Sequence, residues 1–548
     1  MTVATRLPCE QTPLRQGAEG PARDAASKRW VLLAAILGSS LAFVDGTVVN
    51  IALPAMQRSL GASAAQVQWV VEAYALLLSA LLLAGGAMGD RVGQRRTFSA
   101  GIVVFALASL ACALSPTVHL LIAARAVQGL GAALLVPGSL ALISAAYPER
   151  ERGKAFGTWA AFSGITSAVG PLLGGWLVDR FSWSWAFAVN LPVAAILLWI
   201  TWSHVPEDRP TPAAHPFDIA GAVWATLALA GGVFAFTEAP ARGWTAPVVL
   251  VAAAVAIAAL VAFILAERRH PAPMVPLALL RRRAFGGANV VTLLLYSGLG
   301  GGLYFLPLNL VQVQGLSATG AGAALLPFIA VMFVLSRWAG GLVDRYGARP
   351  PLVAGPAIAS IGFALLTWPG VGASYWTGFL PGVVVLGLGM AIAVAPLTTV
   401  VMAAVPQDAA GVASGINNAV SRIAGVLAIA VFGWLMASVF NAHLRSALAA
   451  ASLGPDMAAA VWASRGNLAA LQPPPDATPE AAQAIRAATG TAFVAGFRAV
   501  MLTSAVLALA SAVVGALTMP RPTLESNAAN RPQRTQTLRR RRKRETSP

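Results

Sequence analysis

The chain has 548 residues, of which 57% are hydrophobic and only 11% charged, against about a quarter charged in ordinary soluble domains. With a mean hydropathy of +0.70, this balance excludes a soluble globular protein and marks an integral membrane protein. The net charge of +17 would suit a nucleic-acid partner only if the basic residues clustered away from membrane-flanking loops.

In chain order, residues 1–29 form a polar tail that holds Cys9. The first apolar run, near 30–54, is too long for a signal core and has no small-residue cleavage site, so it is expected to stay as a span. Runs follow near 68–89 and 97–115 and onward to 493–519, most reaching the ~20 residues that cross the hydrocarbon as a helix. Fourteen spans are expected, numbered here in chain order. Cys112 lies inside the third run, which leaves no plausible disulfide with Cys9.

Span 1 contains "SLAFVDGTVVNIALP", with Asp45 in otherwise lipid-soluble sequence. Span 2 adds a second acid, Glu72, in "QWVVEAYALLL", near its outer part. The link from span 2 to span 3 reads "GGAMGDRVGQRR", where Gly86 and Gly93 permit close helix approach. Asp90, in this link, can accept hydrogen bonds from a helix N-terminus or an arginine across the bundle; Arg91, Arg95 and Arg96 complete its charged set. Span 4 contains "LIAARAVQGLGAA" and buries Arg125.

Arg125 is about eight residues inside span 4 and Asp45 about nine residues from the outer end of span 1, so both sit about 12 to 13 Å deep at 1.5 Å per residue. An unpaired ionised group at mid-span costs about 2.5 to 3.5 kcal/mol. Asp45 and Arg125 are therefore expected as direct or water-bridged neighbours. A change in their separation between conformations would switch the proton affinity of Asp45.

Span 5 contains "SGITSAVGPLLGGW". Gly164, Gly170, Pro171, Gly174 and Gly175 remove side-chain bulk from one face and free a backbone carbonyl, so the helix can bend and pack closely. The Pro-rich "HVPEDRPTPAAHP" then links the sixth span to two further spans, about 218–238 and 246–266.

An internal duplication organises the rest. "GLGAALLVPGSLALISAAYPERERGKAFG" from Gly129 aligns without gaps to "GLGMAIAVAPLTTVVMAAVPQDAAGVASG" from Gly387, at an offset of 258. "GDRVGQRR" from Gly89 matches "VDRYGARP" from Val343 at 254, repeating the charged link at Asp344, Arg345 and Gly347. Self-similarity at this distance implies duplicated bundles. The expected fold class is all-α integral membrane, two six-helix bundles plus two inserted helices. The expected organisation is an N-tail 1–29, a first bundle 30–203, a linker 204–217, the inserted pair with its basic loop 218–283, a second bundle 284–520 and a C-tail 521–548. An outer loop is expected at about 440–490. Parallel halves of this kind place a substrate site between the bundles near the midplane. Trp69, Trp183 and Trp185 fall at expected span ends, as interface anchors do.

On an alternating topology with both termini inside, 28 of the 38 basic residues fall on the cytoplasmic side and 6 outside, the other four being Arg125, Arg337, Arg422 and Arg498 within spans. The positive charge is thus a topology signal that puts both termini in the cytoplasm. "RRRRKR" at 539–544 reads as a juxtamembrane segment facing anionic lipid, and no nucleic-acid partner is expected. Only three basic residues are lysine, which hints at a GC-rich bacterial genome.

The four motifs, in this order on these spans, resemble the major facilitator superfamily, in particular its fourteen-span drug:proton antiporters. "LAFVDGTVVNIALP" looks like that branch's span 1 motif, "GDRVGQRR" like the superfamily's link between spans 2 and 3, "RAVQGLGAA" like its span 4 arginine motif and "GPLLGGW" like its span 5 antiporter motif. The resemblance covers about residues 30 to 520. It implies the major facilitator fold and export of a hydrophobic or amphipathic compound, often a drug or antibiotic, in exchange for protons. Coupling would run through Asp45, Arg125 and Glu72, in a monomer in the cell membrane, with the proton gradient as energy source and no cofactor. Export of an endogenous metabolite or lipid is an alternative, and import by the same fold another. The repeat aligns Arg125 with Val383 and Pro171 with Ile429, so coupling is expected in the first half. Span 13 carries Asn417, Asn418 and Arg422 where some relatives have acids, against a preference for divalent cations.

An enzyme is not expected. The five histidines, His119, His204, His215, His270 and His443, lie at loops or span edges without ligand-like spacing. No "GxxxxGK[ST]" is present for ATP, and "GLGGGL" at 298–303 reads as helix packing. No metal is expected.

Overall fold

A computed structural model describes residues 25–207, 218–270, 273–405, 410–451 and 453–520. The expected tails up to 24 and from 521, and the linker beyond 207, lie outside the described residues. The described chain is a succession of long helices: α1 (Ala25–Leu60), α2 (Ala64–Val92), α3 (Gln94–Ala113), α4 (Val118–Ala146), α5 (Glu149–Arg180) and α6 (Trp185–His204). Next come α7 (Ile219–Arg242), α8 (Pro247–Arg269), α9 (Arg283–Gln312) and α10 (Ala318–Ser336). The series ends with α11 (Arg349–Leu365), α12 (Tyr375–Ala403), α13 (Ala410–Ala450) and α14 (Pro479–Thr518).

Twelve of them, all but α5 and α11, are long and apolar enough to cross a membrane, against the fourteen spans expected. The local reasons for their limits are legible. Ser63 caps α2 in a reciprocal box with Gln66, and Thr117, Asp218 and Thr478 cap α4, α7 and α14 by accepting a backbone N–H. The turn from α2 into α3 is made by Gly93 at φ 107°, and the equivalent Gly347 has φ 82°, a region open to glycine and costly for other residues.

The duplication is physical. A Cβ on Gly129 would strike the backbone carbonyl of Tyr74, and one on Gly387 that of Phe328. Likewise Gly131 abuts the backbone of Phe105, and Gly389 that of Ala359. Each residue in these pairs lies at its repeat offset from its counterpart. The same close helix crossings thus recur in both halves, with small residues letting backbones meet. α1 to α6 pack as one bundle and α9 to α14 as a second. α7 lies across the seam between them, against α2 and α13, with α8 behind it.

The two ends take the names outer and cytoplasmic from the charge bias. The outer ends of the halves are joined. Asp179 accepts from the backbone N–H groups of Ala318 (3.1 Å) and Thr319 (2.8 Å) at the start of α10, as a carboxylate does at a helix N-terminus. Gln312 donates to Gln57 at 2.9 Å, and Gln57 to the carbonyl of Asn467 at 3.1 Å.

Two expectations need correcting. α13 runs on to Ala450 and α14 begins at Pro479, both inside the outer loop expected at about 440–490, and the helix Pro455–Ala463 and turn Arg465–Ala470 between them fold back over the outer end. Val461 and Leu468 are buried there, which explains why this segment is ordered against the bundle. Trp183 is no interface anchor: it is buried and edge-on to Phe187, whereas Trp185 is exposed. In "GLGGGL", Gly301 packs on Phe432 and Gly302 on Phe363, while Gly300 abuts the backbone of Gly425 and Gly298 that of Ser504.

Candidate functional site

Asp45 and Arg125 meet directly. Arg125 Nη1 donates to Asp45 Oδ2 at 2.5 Å, with 0% of the aspartate side chain and 1% of the arginine side chain exposed. A buried pair is tolerable only when the remaining lone pairs and protons are also satisfied, and here they are. Gln128, one turn along α4 from Arg125, accepts from Arg125 Nη1 (2.7 Å) and donates to Asp45 Oδ1 (2.8 Å). Asn190 in the second turn of α6 donates to the same Oδ1 at 3.0 Å. Both amides also donate to Ser109 of α3. Arg125 Nε donates to the carbonyl of Val70 on α2, and its guanidinium lies 4.1 Å from the ring centre of Tyr74, within cation–π range. One ion pair therefore ties α1, α2, α3, α4 and α6.

Glu72 is also fully buried, not at the wet edge of span 2. Its partners are neutral: Gln68 Nε2 donates to Oε1 at 2.9 Å and the Thr237 hydroxyl to Oε2 at 3.1 Å. Gln68 also donates to the carbonyl of Ile429 at 3.3 Å. It reaches α13 because Gly433 leaves the room, since a Cβ there would collide with the Gln68 amide. This cluster joins α2, the inserted α7 and α13. Gln68 and Thr237, with Tyr304, Gln312, Asn441 and Arg465, line an outer cavity of about 210 Å³. A second cavity of about 430 Å³, between α2, α7, α8 and α13, has no charged residue in its lining, which includes Leu83, Phe263, Met274 and Leu427.

The span 5 motif makes the seal. Gly170 and Gly174 face Thr47 and Val48 of α1, and Gly175 and Pro171 face the backbone of Ala318 and Gly322 in α10. Gly164 lies in α5 but its surroundings fall outside the described residues. In the α2–α3 link, Asp90 accepts from the Gln94 side chain at 2.8 Å. Arg95 donates to the carbonyl of Trp202 (2.7 Å) and Arg96 pairs with Glu207 (3.0 Å), so both hold α3 to the end of α6. A Cβ on Gly86 would meet Pro137 at ordinary contact distance. Arg91 is at the end of α2 and Arg345 in the equivalent helix Leu342–Tyr346; the side chain of Asp344 is outside the described residues. Among the described residues no group of three His, Cys, Asp or Glu could hold a metal.

The sequence profile described as Major Facilitator Superfamily matches residues 35–429. The chain belongs to that superfamily. This facilitator is similar to Multidrug resistance protein Stp of Mycobacterium tuberculosis (strain CDC 1551 / Oshkosh), 36% identical over 75% of this chain and 76% of that one. It is also similar to Puromycin resistance protein pur8 of Streptomyces alboniger, 38% identical over 76% and 84%. With the Tetracenomycin C resistance and export protein of Streptomyces glaucescens it shares 34% identity over 81% and 83%. Solved structures agree in fold. A bacterial homologue of the human lysosomal transporter Spinster, inward-facing and unoccupied, superposes with a TM-score of 0.62 at 18% identity, covering 91% of this chain and 100% of that one. The POT family transporter PepTSo gives 0.60 at 15%, covering 90% and 98%. The chain is thus a transporter-fold membrane protein and not an enzyme.

Sequence reasoning on this facilitator missed Gln128, Asn190, Ser109, Gln68, Thr237 and Asp179. Gln128 carried a signal, being one helical turn from Arg125 on the same face. Asn190 and Thr237 carried none, because their partners lie 145 and 165 residues away.

Proposed function

We propose that this protein is a proton-coupled exporter of hydrophobic or amphipathic compounds, drugs and antibiotics among them, working by alternating access in a bacterial cell membrane. It has fourteen spans, α5 and α11 crossing beside the α1 and α12 they pack on. Both termini are cytoplasmic, the monomer is the working unit, and the proton gradient supplies the energy without a cofactor. The observation that carries the reading is the enclosed Asp45–Arg125 pair at the junction of five helices. The resistance and export relatives support the substrate class.

Asp45 takes a proton from the outside, gives up its charge and releases Arg125. The guanidinium does not become an orphan, because Gln128, the Val70 carbonyl and the Tyr74 ring still hold it. Substrate binding from the cytoplasmic side favours release of the proton, so proton and substrate compete. Glu72, below the outer cavity, is a second acid on the proton route. Gly175 and Pro171 against α10 form the outer seal that must part for export.

The test uses inside-out vesicles with an acidified lumen and a panel of lipophilic cations, neutral antibiotics and organic anions. At least one compound is expected to release lumenal protons through the wild type and not through Asp45→Asn. Equal release through both, or no response to any compound, would overturn the antiporter reading.

A further inference from the structure

Arg422 is an intramembrane charge that the coupling scheme leaves unused and, unlike Arg498, which donates to the carbonyls of Trp368 and Pro369, it has no such tie among the described residues. It lies on α13, and no carboxylate is within salt-bridge distance of it among the described residues. Its Nε is buried without a hydrogen-bond partner. The acids that could neutralise it are committed elsewhere, Asp45 to Arg125 and Glu72 to Gln68 and Thr237. An isolated cation within a membrane protein is costly and as a rule marks an ion or substrate path.

Its surroundings fit a path. Asn418, Arg422, Gly425 and Ile429 recur at helical spacing on one stripe of α13. Two members of that stripe meet the first bundle, the Ile429 carbonyl accepting from Gln68 on α2 and the Arg422 guanidinium lying 6.0 Å from the ring centre of Phe43 on α1, while the Gly425 backbone abuts Gly300 of α9. Asn418 is exposed although it sits in a span. A Cβ added at Gly425, or at Gly46 one turn along α1 from Phe43, would meet nothing within 4 Å. One further turn on, Asn50 leaves its Oδ1 buried and unpaired. Arg422 thus reaches the first bundle beside Phe43, two residues from Asp45, and the stripe of α1 that carries Phe43 also holds open space at Gly46 and an unpaired amide oxygen at Asn50.

We infer that Arg422 is a substrate-charge selector, and that the compounds carried are amphipathic organic anions: a carboxylate, phenolate or sulfonate held by Arg422, with the apolar body against Phe43. A fixed cation in a low-dielectric passage draws anions and excludes cations. The inference deepens the exporter reading and rests on it.

Three xanthene dyes of similar shape and different charge test it: anionic fluorescein, zwitterionic rhodamine B and cationic rhodamine 6G. Binding to the full chain in uncharged-lipid nanodiscs is read by fluorescence anisotropy against empty discs. The wild type should bind fluorescein more tightly than rhodamine 6G. Arg422→Gln should weaken fluorescein by about ten- to a hundredfold, as loss of one charge-assisted hydrogen bond does, and leave rhodamine 6G unchanged. Arg422→Lys should keep the anion preference. No anion preference in the wild type, including no fluorescein binding, overturns the inference, as does an equal loss for all three dyes in Arg422→Gln. If Arg422→Gln does not fold, the wild-type preference and Arg422→Lys decide the matter. The measurement needs no proton gradient, so anion binding without proton release in vesicles would fault the antiporter reading alone.

Discussion

Asp45 and Glu72 are both fully buried acids within the first bundle's helices, and they are held in different ways. Asp45 is bound to a cation, and its second oxygen is shared between two amides that bridge to α3 and α6. Glu72 pairs with no cation among the described residues; its partners are an amide that also reaches α13 and a hydroxyl from the inserted α7. In the proposed scheme Asp45 gains a proton as it gives up Arg125, which would make its protonation a structural event for the five helices the pair ties. Glu72 can gain or lose one within a cluster of neutral groups, so its protonation need not move the bundle. A carboxyl becomes a switch through what its charge holds in place, and burial alone does not make it one.

The comparison breaks first at Arg125. Arg125→Ala leaves the Asp45 charge buried without its cation, a change worth about 3 to 5 kcal/mol in a buried pair. A large drop in the melting temperature of the purified protein is expected, partly restored when Asp45→Asn is added. Full additivity of the two changes would mean that the pair is not a unit.

A smaller effect is expected at the outer seal. Gly175→Ala drives a Cβ into the backbone carbonyl of Ala318, and overpacking of this kind costs about 1 to 3 kcal/mol. Cysteine-accessibility labelling should then find the α5–α10 seam open more often, while the Asp45 network is untouched. Unchanged labelling would remove α5 from the gate.

The smallest effects belong to the neutral cluster. Thr237→Val removes one hydrogen bond to Glu72, at about 1 kcal/mol, and Glu72→Gln keeps the shape of the cluster and should shift stability by less than that. Both are read by thermal melting. A Glu72→Gln protein as unstable as Arg125→Ala would erase the contrast between the two acids.

The charges of this site were legible in the sequence because a membrane makes them conspicuous: Asp45, Glu72, Arg125 and Arg422 stand out in apolar runs. The duplication was legible because Gly129 and Gly387 must admit a neighbouring backbone at the same crossing. The neutral residues that give each acid its character were not. Gln68, Thr237 and Asn190 are unremarkable in a membrane helix, and their roles come from crossings fixed only by the tertiary fold, the most distant being the inserted α7 laid over the seam. The extent of α13 and α14 was hidden for a related reason, since a helix that leaves the bilayer keeps its backbone bonds while losing its apolar signature.

On the proposed scheme, protonation of Asp45 moves the protein and protonation of Glu72 does not. This difference is tested most directly by double electron–electron resonance between spin labels at the exposed outer positions Arg58 and Ser374, recorded across pH in lipid nanodiscs without substrate. A distance distribution that changes with pH is expected in the wild type and in Glu72→Gln, and one that is fixed at every pH in Asp45→Asn. A pH-dependent distribution in Asp45→Asn together with a fixed one in Glu72→Gln would contradict it.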